Sequence, residues 1–153
     1  KDKFAFNKFM TFNFDKVDKE IKDSKATILL SAQTMSDVRA AQKNAKIAGA
    51  EKAITFTRQD VEWLDFKFDQ DSIDCVVSFI QCPSASVPEK MLKKLYEDFF
   101  YNLKEPMAKG GTVVICGKNL DYFKSLAKNV KLKKELSFMN GKDDLYVAVF
   151  SKI

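Results

Sequence analysis

Ser36-Asp37-Val38-Arg39-Ala40-Ala41-Gln42-Lys43-Asn44-Ala45-Lys46-Ile47-Ala48-Gly49, followed by Ala53-Ile54-Thr55-Phe56-Thr57 and then Ile73-Asp74-Cys75-Val76-Val77-Ser78, is the stretch that decides the fold. The first segment predicts a helix over 36–48. Ser36 is suited to cap it, Asp37 favours its positive end, and Gly49 stands where a left-handed stop is wanted. Val38, Ala41, Ala45 and Ala48 recur at three- and four-residue intervals and form its buried stripe. The runs 53–57 and 73–80 are too apolar for a surface hairpin and read as buried strands, with a loop carrying Asp60 between them. Ala26 to Ser31, just upstream of the helix, is a further run of strand length.

The same alternation continues towards the carboxyl end. Pro88 opens a helix to about Leu103, with Met91, Leu92, Leu95, Phe99 and Leu103 on one face. Pro106 and Gly110-Gly111 break the chain before a strand at Thr112–Cys116. Asn119 is placed to cap a helix to about Lys128. The runs 132–138 and 145–151 flank Asn140-Gly141, the turn pair of an antiparallel hairpin. Strands alternating with helices imply an α/β fold with a mostly parallel sheet and right-handed crossovers.

A chain of 153 residues suits one domain, here an aromatic-rich segment at 1–25 and an α/β core at 26–153. It is 46% hydrophobic and 31% charged, with no apolar run of membrane-spanning length and no secretory pattern, so the expectation is a cytoplasmic globular protein with no membrane contact. It begins with Lys1 rather than Met, from which we expect a piece of a longer polypeptide. The net charge of +5 is carried by lysine, with Arg39 and Arg58 the only arginines. Lys90, Lys93, Lys94, Lys131, Lys133 and Lys134 are suited to phosphate contacts, and a solvated basic surface explains them equally well. Cys75, Cys82 and Cys116 lie in apolar runs and read as buried, reduced thiols.

No histidine is present, which excludes Ser-His-Asp and Cys-His nucleophilic catalysis and leaves no zinc site to build. Asp65, Asp69, Asp71 and Asp74 lack calcium-loop spacing and read as a solvated loop, so no metal is expected. There is no phosphate-binding P-loop.

Asn44-Ala45 with Ala48-Gly49, the loop Asp60 and Asp74-Cys75-Val76-Val77-Ser78 together resemble the middle of S-adenosylmethionine-dependent RNA methyltransferases of the THUMP-associated type, which methylate guanine N2 in rRNA or tRNA. Lys109-Gly110-Gly111-Thr112 resembles that family's entry into strand five, and Phe4-Ala5-Phe6-Asn7, Phe9, Phe12 and Phe14-Asp15 resemble an insert of the large-subunit rRNA enzymes. The phenylalanines read as an aromatic cluster packed on one edge of the sheet, with stacking on RNA bases as the alternative. The resemblance implies a Rossmann-like methyltransferase fold ending in an antiparallel hairpin. S-adenosylmethionine is the implied cofactor and RNA the implied partner, in rRNA processing or on tRNA.

The family's functional positions can be followed onto this chain. The glycines at 49, 110, 111, 117 and 141 form no G-x-G, so the cofactor loop and first strand lie outside this sequence or have been lost, and a partner chain or upstream domain would complete the site. The ribose acid falls within Ser31–Thr34, where no carboxylate stands and Gln33 or Thr34 takes its place. Asp60 matches the residue that accepts from the adenine amino group, with Val61 beside it; alternatively Asp60 caps the turn at Val61–Trp63. Trp63 and Phe66 read as core residues or as a wall for adenine. The acceptor motif falls on Phe79–Cys82 or, moved by two, on Gln81–Ser84, which makes Gln81 the catalytic candidate. Two functions follow from this: a SAM-dependent RNA guanine-N2 methyltransferase domain, or an inactive relative acting as a structural or RNA-binding module.

Overall fold

The computed structural model describes residues 26–153. The aromatic segment read at 1–25 lies outside the described residues. β1 (Ile28–Ala32) and β2 (Ile54–Arg58) pair in parallel, from Ile28 opposite Ile54 to Ala32 opposite Arg58. α1 (Met35–Ile47) makes the crossover between them. A second, four-stranded sheet has the order β3 (Ile73–Phe79), β4 (Met107–Gly117), β6 (Asp143–Lys152), β5 (Val130–Asn140). Its β3 and β4 are parallel, and the last two strands form an antiparallel hairpin. The connections are a 3-10 turn at Val61–Trp63 running into the single-turn α2 (Leu64–Lys67), then α3 (Glu89–Asn102) and α4 (Leu120–Leu126). β1 and β3 do not pair with each other, so each keeps one edge that no described strand covers.

Local chemistry explains the element ends, and several differ from the sequence reading. Thr34, not Ser36, caps α1: its backbone is extended, and its hydroxyl accepts from the Asp37 amide at 3.2 Å and donates to the Asp37 carboxylate at 2.7 Å. An acid three residues on can add a side-chain bond to the cap, and Thr34 has Asp37 there, whereas Ser36 would have Arg39. Ala48, placed in the stripe, is the exposed C-terminal cap, and Gly49 follows with a φ of +74° as the stop requires. Asn119 caps α4 by accepting from the Tyr122 amide, but the helix ends at Leu126, short of Lys128, before Asn129 turns left-handed at φ +66°. Gly141, at φ +65°, makes the expected hairpin turn.

The Gly110-Gly111 pair lies inside β4 rather than before it. Between the Ile73–Met107 and Cys75–Thr112 pairings β4 carries three more residues than β3, an irregularity that Gly110 absorbs at φ +73°.

Helices α3 and α4 cover one face of the four-stranded sheet. Leu92, Tyr96, Leu103, Leu120, Phe123 and Leu126 pack against Ile80, Met107, Val113, Ile115, Ala148 and Phe150. On α3 the buried stripe is Leu92, Tyr96, Phe100 and Leu103, one residue round from the one expected; Met91 is exposed, and Leu95 and Phe99 are only half-buried. Apolar side chains occupy both candidate stripes. The rotation that wins buries Phe100 against Phe150 and gives the Tyr96 hydroxyl a partner. The cysteines are free but not buried: Cys75 is exposed, and Cys82 and Cys116 are half-buried. Cys75 shares a strand face with Val77, which no described helix covers.

Candidate cofactor and acceptor site

Parallel pairing of β1 and β2 sets their carboxyl ends side by side, the place where open α/β sheets receive ligands. Two hydrogen bonds and a long ion pair join this rim. The Gln59 amide donates to Ala32 O at 3.0 Å, extending the ladder. Arg58 Nε donates to Gln33 O at 3.1 Å, and the Arg58 guanidinium stands 3.9 Å from the Asp60 carboxylate. Gln33, Thr34, Asp60 and Val61 are thereby brought to one rim, with Arg58 as the clasp. Arg58 was missed in the sequence. Its signal was being one of only two arginines in a lysine-rich chain, at the last position of a strand.

Each rim residue has a defined state. The Asp60 backbone starts the 3-10 turn, its carbonyl accepting from the Trp63 amide at 3.1 Å, while its side chain makes no cap bond. The carboxylate is therefore not consumed by the turn. It is half-exposed, and its ion pair with Arg58 is long. The Val61 carbonyl accepts from Asn102 Nδ2 at 3.0 Å, which fastens the turn to the end of α3. The Gln33 carbonyl is held by Arg58 and its residue is exposed. The Thr34 hydroxyl is engaged at both ends by Asp37.

Trp63 and Phe66 are not core residues. They are 57% and 81% exposed, and their rings sit 5.5 Å apart beside the turn. The 3-10 turn and α2 are too short to bury both faces, and Leu64 is the residue that points inward.

These residues fit the adenosine part of S-adenosylmethionine. The half-exposed Asp60 carboxylate can accept hydrogen bonds, the exposed Gln33 stands at the same rim, and Trp63 and Phe66 offer apolar surface. Among the described residues no glycine-rich turn receives the amino-acid end of that molecule, and no group of His, Cys, Asp and Glu is arranged to hold a metal ion.

Gln81 lies apart, on the turn that leaves β3. Ile80 continues the β-ladder, its backbone amide donating a hydrogen bond to Cys116 O at 2.8 Å. The Gln81 carbonyl then accepts from the Tyr96 hydroxyl at 2.9 Å, while the residue itself is exposed. Ser84 and Val87 exchange two backbone bonds of 3.1 Å, closing the turn before Pro88. Burial pushes the Tyr96 phenol up to about 12, so it is a donor across the physiological range. Rim and turn are linked through α3, since Tyr96 holds one and Asn102 the other. Six residues separate these anchors, about 9 Å along a helix.

The family model described as RMKL-like, methyltransferase domain, matches residues 2–147. The crystal structure of TrmN from Thermus thermophilus has a similar fold, with a TM-score of 0.70 at 19% identity over 86% of this chain and 38% of that one. PH0226 from Pyrococcus horikoshii OT3 gives 0.64 at 13% identity over 92% of this chain and 76% of its own. SMU.472, complexed with SAH, gives 0.67 at 16% identity over 98% and 40%. This chain thus spans well under half the length of TrmN and of SMU.472. No curated protein sequence matches it.

Proposed function

The chain belongs to the RMKL-like methyltransferase family, and from that premise we propose that it is part of an S-adenosylmethionine-dependent RNA methyltransferase acting on guanine N2. The observation that carries this reading is the rim itself. Two parallel strand ends bring an uncapped carboxylate, Asp60, beside Gln33 and Val61, and the chain's resemblance to RNA guanine methyltransferases lies in the same segments. When bound, S-adenosylmethionine supplies an electrophilic methyl group. The protein's own task is to hold donor and acceptor in line. Asp60 accepts from the adenine amino group and Gln33 bonds the ribose. The Gln81 carboxamide oxygen accepts from the exocyclic amine of the target base, which localises the nitrogen lone pair for attack.

Lys131, Lys133 and Lys134, with no ion-pair partner among the described residues, and Lys90 and Lys93 on α3 provide cations for an RNA backbone. Lys94 is less available, being 3.8 Å from Glu62. The cofactor loop comes from outside the described residues, from upstream sequence or a partner chain, and the open edges of β1 and β3 are where such an element would join. The protein acts in the cytoplasm, on rRNA or tRNA.

A second reading, an inactive methyltransferase-like module that binds RNA or a partner, is favoured by one observation. The β1 rim has no carboxylate for a ribose, and the Thr34 hydroxyl that might replace it is committed to the helix cap. Calorimetric titration with S-adenosylmethionine and its demethylated product, with Asp60→Ala alongside, separates the two. Micromolar binding that the variant loses supports the enzyme. A folded protein that binds neither ligand supports the inactive module.

A further inference from the structure

The turn from Ile80 to Pro88 has few of the supports that usually fix a loop. It sits at the edge strand β3 and runs through Cys82 and Pro83 with no helix or ladder of its own. Two backbone contacts bracket it, Ile80 to Cys116 at one end and the Ser84–Val87 bridge at the other. Between them the side chain of Tyr96 reaches in, buried and 2.9 Å from the Gln81 carbonyl. Its ring is held from behind, edge-on to fully buried Phe123 at a centroid distance of 4.7 Å and to Tyr122 at 6.5 Å. Tyr122 is in turn tied to the start of α3, its hydroxyl donating to Glu89 O at 3.3 Å.

We propose that Tyr96 is the positioning residue of the acceptor turn: its hydroxyl draws the Gln81 carbonyl inward and so fixes the Gln81 carboxamide facing outward, towards the target base. This deepens the methyltransferase reading and rests on it. A buried phenol placed by packing gives a turn of this kind a fixed backbone orientation, which its own sequence does not provide. Cys82 precedes a proline, which disfavours the helical region for it, so an orientation imposed at Gln81 carries on to the next peptide. Removing the hydroxyl leaves the ring packing intact and releases only this one bond. A displaced acceptor group lowers the rate of methyl transfer without touching the adenosine rim.

The test compares Tyr96→Phe with Tyr122→Phe, which removes a neighbouring hydroxyl from the same aromatic cluster, and with Gln81→Ala. Binding of S-adenosylmethionine is followed by calorimetry, methyl transfer to total cellular RNA by tritium incorporation, and backbone amide exchange by NMR at Ser84 and Val87, whose mutual hydrogen bonds close the turn. Tyr96→Phe is expected to raise exchange at those amides at least fivefold and to lower kcat about tenfold with cofactor affinity unchanged, while Tyr122→Phe leaves all three near wild type. Exchange in Tyr96→Phe indistinguishable from wild type overturns the proposal, as does wild-type kcat in that variant when Gln81→Ala has lost activity. If Gln81→Ala keeps full activity, or if wild type binds cofactor but methylates no RNA, it is the acceptor reading of the turn that fails. The exchange comparison then still decides whether Tyr96 sets the turn.

Discussion

The two faces of the four-stranded sheet are nearly equal in apolar content and opposite in environment. On one face the row Val76, Val113, Phe150 and the row containing Ile115 and Ala148 lie under α3 and α4, with the β4 and β6 members almost fully buried. On the other, Val77, Val114 and Val149 form one row, and Phe79, Cys116 and Val147 the next. There Val77 is 74% and Phe79 66% exposed, and no described helix lies above them. Near-continuous apolar strands of this kind are the mark of a sheet built to be covered on both sides. The contrast teaches that hydrophobicity records where a strand is meant to sit, whereas burial among the described residues follows the face on which α3 and α4 pack.

Substitutions on matched positions test the contrast. Val113→Asp is expected to unfold the protein or cost about 3–5 kcal/mol, because it places an unpaired carboxylate under the helices. Val77→Asp, one strand over on the open face, should stay within about 1 kcal/mol in urea unfolding. Equal losses would show that the second face is covered in solution. Phe123→Ala, a fully buried ring, should cost about 3–5 kcal/mol, and Phe79→Ala well under half of that in the same assay. Gly117→Ala is expected to cost about 1–3 kcal/mol, since a methyl group there would meet Ile80 Cγ1 at 2.6 Å on the covered side.

The smallest effect concerns protons. The Tyr96 phenol lies near 12 in the folded protein against 10.0 for an unperturbed tyrosine, with burial the main cause. Its folded value is the higher of the two, so the stability it contributes is complete below pH 10 and is lost as pH rises towards 12. The wild type should therefore lose more Tm than Tyr96→Phe across that window. A larger loss in the variant would place the titrating group elsewhere.

What could be read beforehand was whatever depends on neighbours in the chain. The hairpin at Asn140-Gly141, the Asn119 cap and the Gly49 stop are local chemistry, and all three stand where the residues put them. The alternation of strand and helix was legible for the same reason, as were the parallel pairs and the terminal hairpin that follow from it. Where two local choices were equally good, tertiary contact chose. On α3 the stripe turned by one residue because Tyr96 and Phe100 found partners in the turn after β3 and on β6, whereas Thr34 displaced Ser36 through a contact as local as the one expected, with Asp37. The clasp from Arg58 to Gln33, the tie from Asn102 to Val61 and the exposure of Trp63 and Phe66 depend on contacts between distant segments or on their lack. No window of sequence contains them.

The outermost strand carries a consequence for the behaviour of the protein in bulk. β5 is an eleven-residue edge strand, exposed along almost its whole length, with Leu132, Leu136 and Phe138 among its side chains. A long edge of this composition invites another edge to add to it. Lys131, Lys133 and Lys134 stand on that same strand, so two such edges approaching one another bring like charges together. Their repulsion is a colloidal safeguard that works only while it is unscreened. Raising the ionic strength shortens its reach to a few ångströms, and concentrated, salty solutions are where this protein would first begin to associate with itself through its edges.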